Sequence, residues 1–192
     1  MPTIGYFHNF YGHGSIEPFL AALNEVYPDS RTINCAFQCP ENLIMAARTQ
    51  AYASLRKTVR GDLILLDTDV IARRAVSFDG DWHIGLTRTR EETPLMRYNG
   101  GVILLKDTPE AQRFMDQVQY HATVLPADFG EWLWYVDQLA LTAVAKDNQH
   151  VEVFGGEYNY IPKHTKDVPD NAYFVHYKGK TRKAWIPLKA AA

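Results

Sequence analysis

The segment "DLILLDTDV", Asp62 to Val70, constrains this chain more than any other stretch. Four apolar residues, Leu63 to Leu66, run without alternation straight into two carboxylates, Asp67 and Asp69. A continuous apolar run of that length suits a strand covered on both faces, as in a parallel sheet. Residues i and i+2 of a strand point to the same side. A strand continued through the acids would therefore place both carboxylates on one face, with Cα atoms about 6.6 Å apart. In open α/β sheets ligands sit beyond the carboxyl ends of the strands, and the pair falls there.

Two carboxylates held together repel each other and are driven to share a proton unless a cation stands between them. Mg2+ or Mn2+ suits such an oxygen-rich site and usually leaves positions open for substrate phosphates. The plainer reading, acids that merely cap a strand end in solvent, fits the spacing equally well. The buried run ahead of the pair favours a site.

Upstream, "TIGYFHNF" reads as a strand and Ser15 as the cap of a helix over "SIEPFLAALNEVY". Pro18 falls in the first turn, where proline is tolerated, and Tyr27 before Pro28 ends the helix. "RTINCAF" is a second strand, and "PENLIMAARTQAYASLRKTVRG" a strong helix closed by Gly61. The order strand, helix, strand, helix, strand predicts an α/β fold. Downstream, "DWHIGLTRT" and "MRYNGGVILLK" are strands with no helix between them. Two helices, "TPEAQRFMDQVQYHATVL" and "WLWYVDQLALTAVAKD", and two late strands, "HVEVFGG" and "AYFVHYKG", follow. The central sheet is therefore expected to be mixed and flanked by helices. No repeat or linker divides residues 1–192, which predicts a single domain with a disordered tail from about residue 186.

A net charge of −2 argues against nucleic acid as the main partner. The two cysteines, Cys35 and Cys39, are too few for a zinc cage or a secreted disulfide framework. They read as reduced thiols of a cytoplasmic protein. The N-terminus lacks the basic and apolar regions of a signal peptide, and no apolar run reaches the roughly 18 residues of a transmembrane helix.

"LILLDTDV" resembles the Asp-x-Asp motif of nucleotide-sugar-dependent glycosyltransferases of the GT-A fold, a Rossmann-like architecture. Within that fold it is similar to the retaining galactosyltransferase and glycogenin group. Four further segments resemble the group's motifs in the same order. "YNGGVILLK" is similar to its Asn-Ala-Gly-Val segment, "YVDQLAL" to its Asp-Gln helix, and "EYNYIP" to its Tyr-Asn-x-x-Pro turn. "VHYKGKTRKAW" resembles the closing His-x-x-Gly-x-x-Lys-Pro-Trp motif, with Ala184 in place of proline and Trp185 one place late. Collinear segments over roughly residues 45 to 185 are more specific than any one of them.

The resemblance implies transfer of a sugar from a nucleotide-diphosphate sugar, UDP-linked in the group, to a glycan, protein or small-molecule acceptor, with retention of configuration. It implies Asp67, Asp69 and His176 as ligands of Mn2+ or Mg2+. Asp137 and Gln138 would face the reacting sugar, the first holding hydroxyls and the second under the anomeric carbon. Tyr11, Gly179 and one of Arg182 and Lys183 would serve the nucleotide and its diphosphate, and Arg48, on the helix before the Asp-x-Asp strand, would touch either the nucleotide or Asp67. Asn99, Gly100, Gly101 and Trp185 would line the sugar and acceptor pocket, with Asn99-Gly100-Gly101 forming a turn into a buried strand. Two other readings remain open on the sequence. One is a nucleotide-sugar-binding module without turnover. The other is a haloacid-dehalogenase-type phosphatase with Asp67 as nucleophile, although that family's nucleophile strand usually comes first and its later acidic pair has no good counterpart.

Overall fold

The computed structural model describes residues 1–8, 15–90, 92–124, 134–164 and 167–178. Its strands are β1 (Thr3–Tyr6), β2 (Thr32–Asn34), β3 (Leu63–Leu66), β4 (Val70–Ala72), β5 (Ile84–Arg88), β6 (Tyr98–Leu105), β7 (Val151–Phe154) and β8 (Phe174–His176). Its α-helices are α1 (Glu17–Val26), α2 (Ile44–Thr58), α3 (Pro109–Val124) and α4 (Val136–Ala145). Six strands form a sheet in the order β2-β1-β3-β6-β5-β7, while β4 and β8 make a separate antiparallel ribbon.

The strand-helix-strand units β1-α1-β2 and β2-α2-β3 place β2, β1 and β3 parallel, as the alternating first third predicts. In the second half, β6 runs antiparallel to both of its neighbours, β3 and β5. The adjacent strands downstream of residue 75 therefore do give a mixed sheet.

All four residues of β3 are fully buried. Leu63 and Leu65 pack with Tyr52 of α2, Phe114 of α3 and Ala140 of α4. Ile64 and Leu66 pack on the other face with Phe19 and Leu23 of α1 and with the ribbon residues Val70 and Phe174. Each such side chain contributes about 1.5–3 kcal/mol on leaving water. An alternating strand could not supply two cores, and this double coverage explains the unbroken run.

Helix ends follow local chemistry. α1 begins at Glu17, whose N–H donates to Ser15 Oγ at 3.2 Å, and ends at Tyr27 before proline. Arg56, buried near the end of α2, donates to the carbonyls of Val59 and Gly61 and to Asp107 at 2.9 Å. It thereby fastens the helix end to the turn between β6 and α3.

Cys35 and Cys39 are both free thiols. The Cys35 Sγ donates to the Tyr6 carbonyl at 3.0 Å, and burial pushes this thiol up from 9.0 to about 11. The raised folded-state value means that the unfolded chain loses this proton first. The contribution to stability is therefore full below the ordinary thiol range and fades as pH climbs toward 11. Ultraviolet titration of the folded Cys39→Ser variant should show the Cys35 thiolate only near that upper value, whereas a thiolate midpoint near 9.0 would contradict the burial.

Candidate active site

β3 delivers its two acids into a turn and not along a continued strand. The Val70 N–H bonds the Asp67 carbonyl at 3.1 Å, folding Asp67, Thr68 and Asp69 back toward β4. The extended i, i+2 geometry expected from the sequence is thus corrected, yet the turn still brings the side chains together. β4 pairs with β8 so that Val70 stands opposite His176. That register carries the imidazole Nε2 to 3.2 Å from Asp69 Oδ1 and 3.9 Å from Asp67 Oδ2. One potential donor atom from each residue lies within 4.8 Å of the other two.

Asp67 is in phase with Leu63 and Leu65, and therefore faces α2 and α4. Arg48 of α2 meets it there. The guanidinium Nη1 donates to Asp67 Oδ1, and Nη2 donates to Asp137 Oδ2 on α4. A planar fork can bridge two carboxylates in this way, whereas an ammonium acts as a single point charge. Tyr52, one turn further along α2, donates its hydroxyl to the Leu66 carbonyl at 2.9 Å. The helix is thereby tied to the residue just before the acids.

Burial alone would lower the Arg48 pKa; the carboxylate of Asp137, with Tyr52 and Asp69, more than offsets this and raises it. Three carboxylates against one guanidinium leave two negative charges when all are ionised and the imidazole is neutral. A divalent cation compensates that charge, and carboxylate oxygens plus one imidazole nitrogen suit Mg2+ or Mn2+. The donor set fits the metal that the sequence implies.

Asn99, Gly100 and Gly101 lie inside β6, as the strand reading of "MRYNGGVILLK" has it, and not in the turn that the resemblance implies. Asn99 pairs with Thr87 of β5, and the Gly101 carbonyl accepts the Asp67 N–H at 3.0 Å, which holds the segment extended. The glycines are needed for close approach. A Cβ on Gly100 would lie 2.4 Å from Asp137 Oδ2, and one on Gly101 would lie 2.5 Å from His176 Cε1. Together they floor the site. Asn99 is buried, and its Oδ1 accepts the Gly101 N–H at 2.7 Å.

Gln138 is buried beside Asp137 at the start of α4. The second oxygen of Asp137, Oδ1, is buried without a hydrogen-bond partner among the described residues. A cavity of about 10 Å³ adjoins Asp137, Arg48 and Gly100. That volume is of the order of a single water and far too small for a sugar.

Similar solved structures place this arrangement in context. A glycosyltransferase involved in glycosylation of the major capsid of PBCV-1 superposes with a TM-score of 0.65 at 13% identity, over 96% of this chain and 98% of that one. The galactosyltransferase LgtC, in complex with donor and acceptor sugar analogues, gives 0.61 at 14% identity over 92% and 87%. GlyE of Streptococcus pneumoniae TIGR4 gives 0.67 at 14% identity over 96% of this chain, which spans 60% of GlyE.

The chain has the GT-A fold. No protein-family model matches it, and no curated protein matches its sequence.

Of the residues that the resemblance implies, Arg48, Asp67, Asp69, Asp137, Asn99, Gly100, Gly101 and His176 come together, and Gln138 is buried next to Asp137 in α4. Tyr11, Gly179, Arg182, Lys183 and Trp185 lie outside the described residues. Trp134 and Tyr135, just ahead of α4, are exposed. The sequence signals missed two buried residues beside His176. Asn159 was marked only as part of a turn and Thr87 as part of a strand.

Proposed function

We propose that the protein is a metal-dependent glycosyltransferase that moves a sugar from a nucleotide-diphosphate sugar, UDP-linked, to an acceptor with retention of configuration. The observation that carries this reading is the Asp67, Asp69 and His176 group standing next to the Arg48–Asp137 pair, within a GT-A fold. Asp67, Asp69 and the Nε2 of His176 would hold Mn2+ or Mg2+. When bound, such an ion acts as a Lewis acid on the diphosphate oxygens and stabilises the leaving group's charge.

Asp137 would accept a hydroxyl of the donor sugar and Gln138 would lie beneath its anomeric carbon. An amide is a poor nucleophile, so Gln138 is assigned positioning and charge stabilisation, with the acceptor attacking from the leaving-group side. Arg48 would hold Asp67 and Asp137 in register, and one of Arg182 and Lys183 would meet the diphosphate. The phosphatase alternative is disfavoured because the chain has the GT-A fold and β3, which carries Asp67, comes third in chain order and not first. No helix among the described residues is long and apolar enough to cross a membrane. Two free thiols suit the reducing cytoplasm.

Thermal-shift titration with UDP-, GDP-, ADP- and CDP-sugars, with and without Mn2+, tests the reading. A donor at about 100 times its Kd stabilises by about 2.7 kcal/mol. UDP-sugars should raise the melting temperature only when Mn2+ is present, and Asp69→Asn should abolish the rise. His176→Ala should weaken Mn2+ less than loss of either aspartate, because neutral imidazole brings no compensating charge. A wild-type protein indifferent to every donor would sink the proposal. Metal-dependent binding without hydrolysis or transfer would instead favour a binding module.

A further inference from the structure

We infer that Asn159 and Thr87 are positioning residues that fix the proton of His176 on Nδ1 and so keep Nε2 open toward the two aspartates. The inference deepens the proposed metal site and rests on that reading for its purpose.

His176 Nδ1 lies 3.1 Å from Asn159 Oδ1, and Asn159 Nδ2 donates to Thr87 Oγ1 at 3.0 Å. All three side chains are buried, at 2%, 7% and 3% exposure for His176, Asn159 and Thr87. An amide offers an oxygen acceptor on one arm and a nitrogen donor on the other. Thr87 Oγ1 accepts from the donor arm, and the oxygen arm lies toward the imidazole. An oxygen at that position accepts a proton from Nδ1, and a neutral ring protonated on Nδ1 presents a lone pair at Nε2. That nitrogen is the one that faces Asp69 and Asp67. Partners behind a metal-ligating histidine set its tautomer and orientation in the same manner.

The backbone holds each member of the relay in place. The β5–β6 register shifts at Leu86/Thr87, which sets Thr87 opposite Asn99 in place of the regular sequence of pairs. Bulges commonly re-aim a side chain in this way. Asn159 ends the short 3-10 turn Gly156–Asn159, which is stitched to β8 on both sides. Tyr173 N–H bonds Glu157 O at 2.8 Å, Tyr160 N–H bonds Phe174 O at 2.9 Å, and His176 N–H bonds Tyr160 O at 2.8 Å. The rings of Phe154, Tyr158 and Tyr173 stack at 4.4 Å spacing behind the turn. These backbone bonds, none of which involves an ion, hold Asn159 and His176 relative to each other.

The test is nitrogen NMR of 15N-histidine-labelled protein, metal-free and with Mg2+, alongside Mn2+ titration of the wild type, Asn159→Leu and Asn159→Asp. His176 Nδ1 should carry a proton in the wild type in both states, and Asn159→Leu should lose that signature. Mn2+ affinity should fall about 10- to 100-fold in Asn159→Leu. Asn159→Asp, which keeps an acceptor on Nδ1, should restore most of it. An unprotonated Nδ1 in the wild type would overturn the inference, even were Asn159→Leu unable to fold. So would a folded Asn159→Leu with unchanged ring shifts and affinity. Failure of the wild type to bind Mn2+ at all, with Nδ1 protonated, would strike the metal reading and leave the hydrogen bond standing.

Discussion

Replacing Arg48 by methionine should destabilise the protein by about 3–5 kcal/mol, the range for breaking a buried ion pair from one side. The guanidinium is buried and serves both Asp67 and Asp137. Methionine fills much of the same volume, so the loss would come from charge and not from a cavity. Asp137 would suffer most, because its side chain is 7% exposed while that of Asp67 is 22% exposed and can turn to water. Urea denaturation of Arg48→Met, Asp137→Asn and the double variant measures the coupling. The double variant should recover a substantial share of the loss, since the uncompensated carboxylate is then gone. Arg48→Lys should fall between, keeping the charge but unable to span two carboxylates. A loss below about 1 kcal/mol in Arg48→Met, the range of exposed pairs, would mean that the pair is solvated.

This pair shows what could and could not be read from the chain. The apolar run Leu63 to Leu66 announced a doubly covered strand because both faces had to be buried. Such a strand leaves its following residue facing the core side, so Asp67 needed a partner there. Arg48 was a candidate because it sits on the preceding helix. The bridge from Arg48 to Asp137 was not legible, since it joins residues 89 positions apart through the packing of α2 against α4. The turn at Asp67–Asp69 was misread as strand because Thr68 and Val70 favour strands and no glycine or proline punctuates it. The strand reading of "MRYNGGVILLK" is right for Asn99-Gly100-Gly101, whereas the turn that the resemblance implies is not formed. Asn and Gly signal turns by composition, but here the glycines make room for side chains arriving from other elements. Asn159 and Thr87 were missed because a buried amide and hydroxyl carry no local signature. Their meaning arises only when a late strand returns His176 to the site.

Gly101→Ala should cost about 1–3 kcal/mol, the usual range for overpacking a filled interior. At roughly 2–4 °C per kcal/mol for a protein of this size, the melting temperature would fall measurably. The new methyl carbon would sit 2.5 Å from His176 Cε1, 2.6 Å from Nδ1 and 2.9 Å from Asn99 Oδ1. Contacts that short cannot persist, and the imidazole has little freedom to yield. The ring is 2% exposed, its Nδ1 faces Asn159, and its backbone is paired to β4. Moving it would carry Nε2 away from Asp69, so Mn2+ affinity should drop together with stability. Gly61→Ala separates this effect from backbone strain. Gly61 has φ +85° but nothing within 4 Å of an added Cβ, so its cost should arise from conformation alone and leave metal affinity unchanged. Paired calorimetry of unfolding and of Mn2+ binding distinguishes the two. Equal losses of affinity in both variants would show that global destabilisation, and not displacement of the ring, weakens the site.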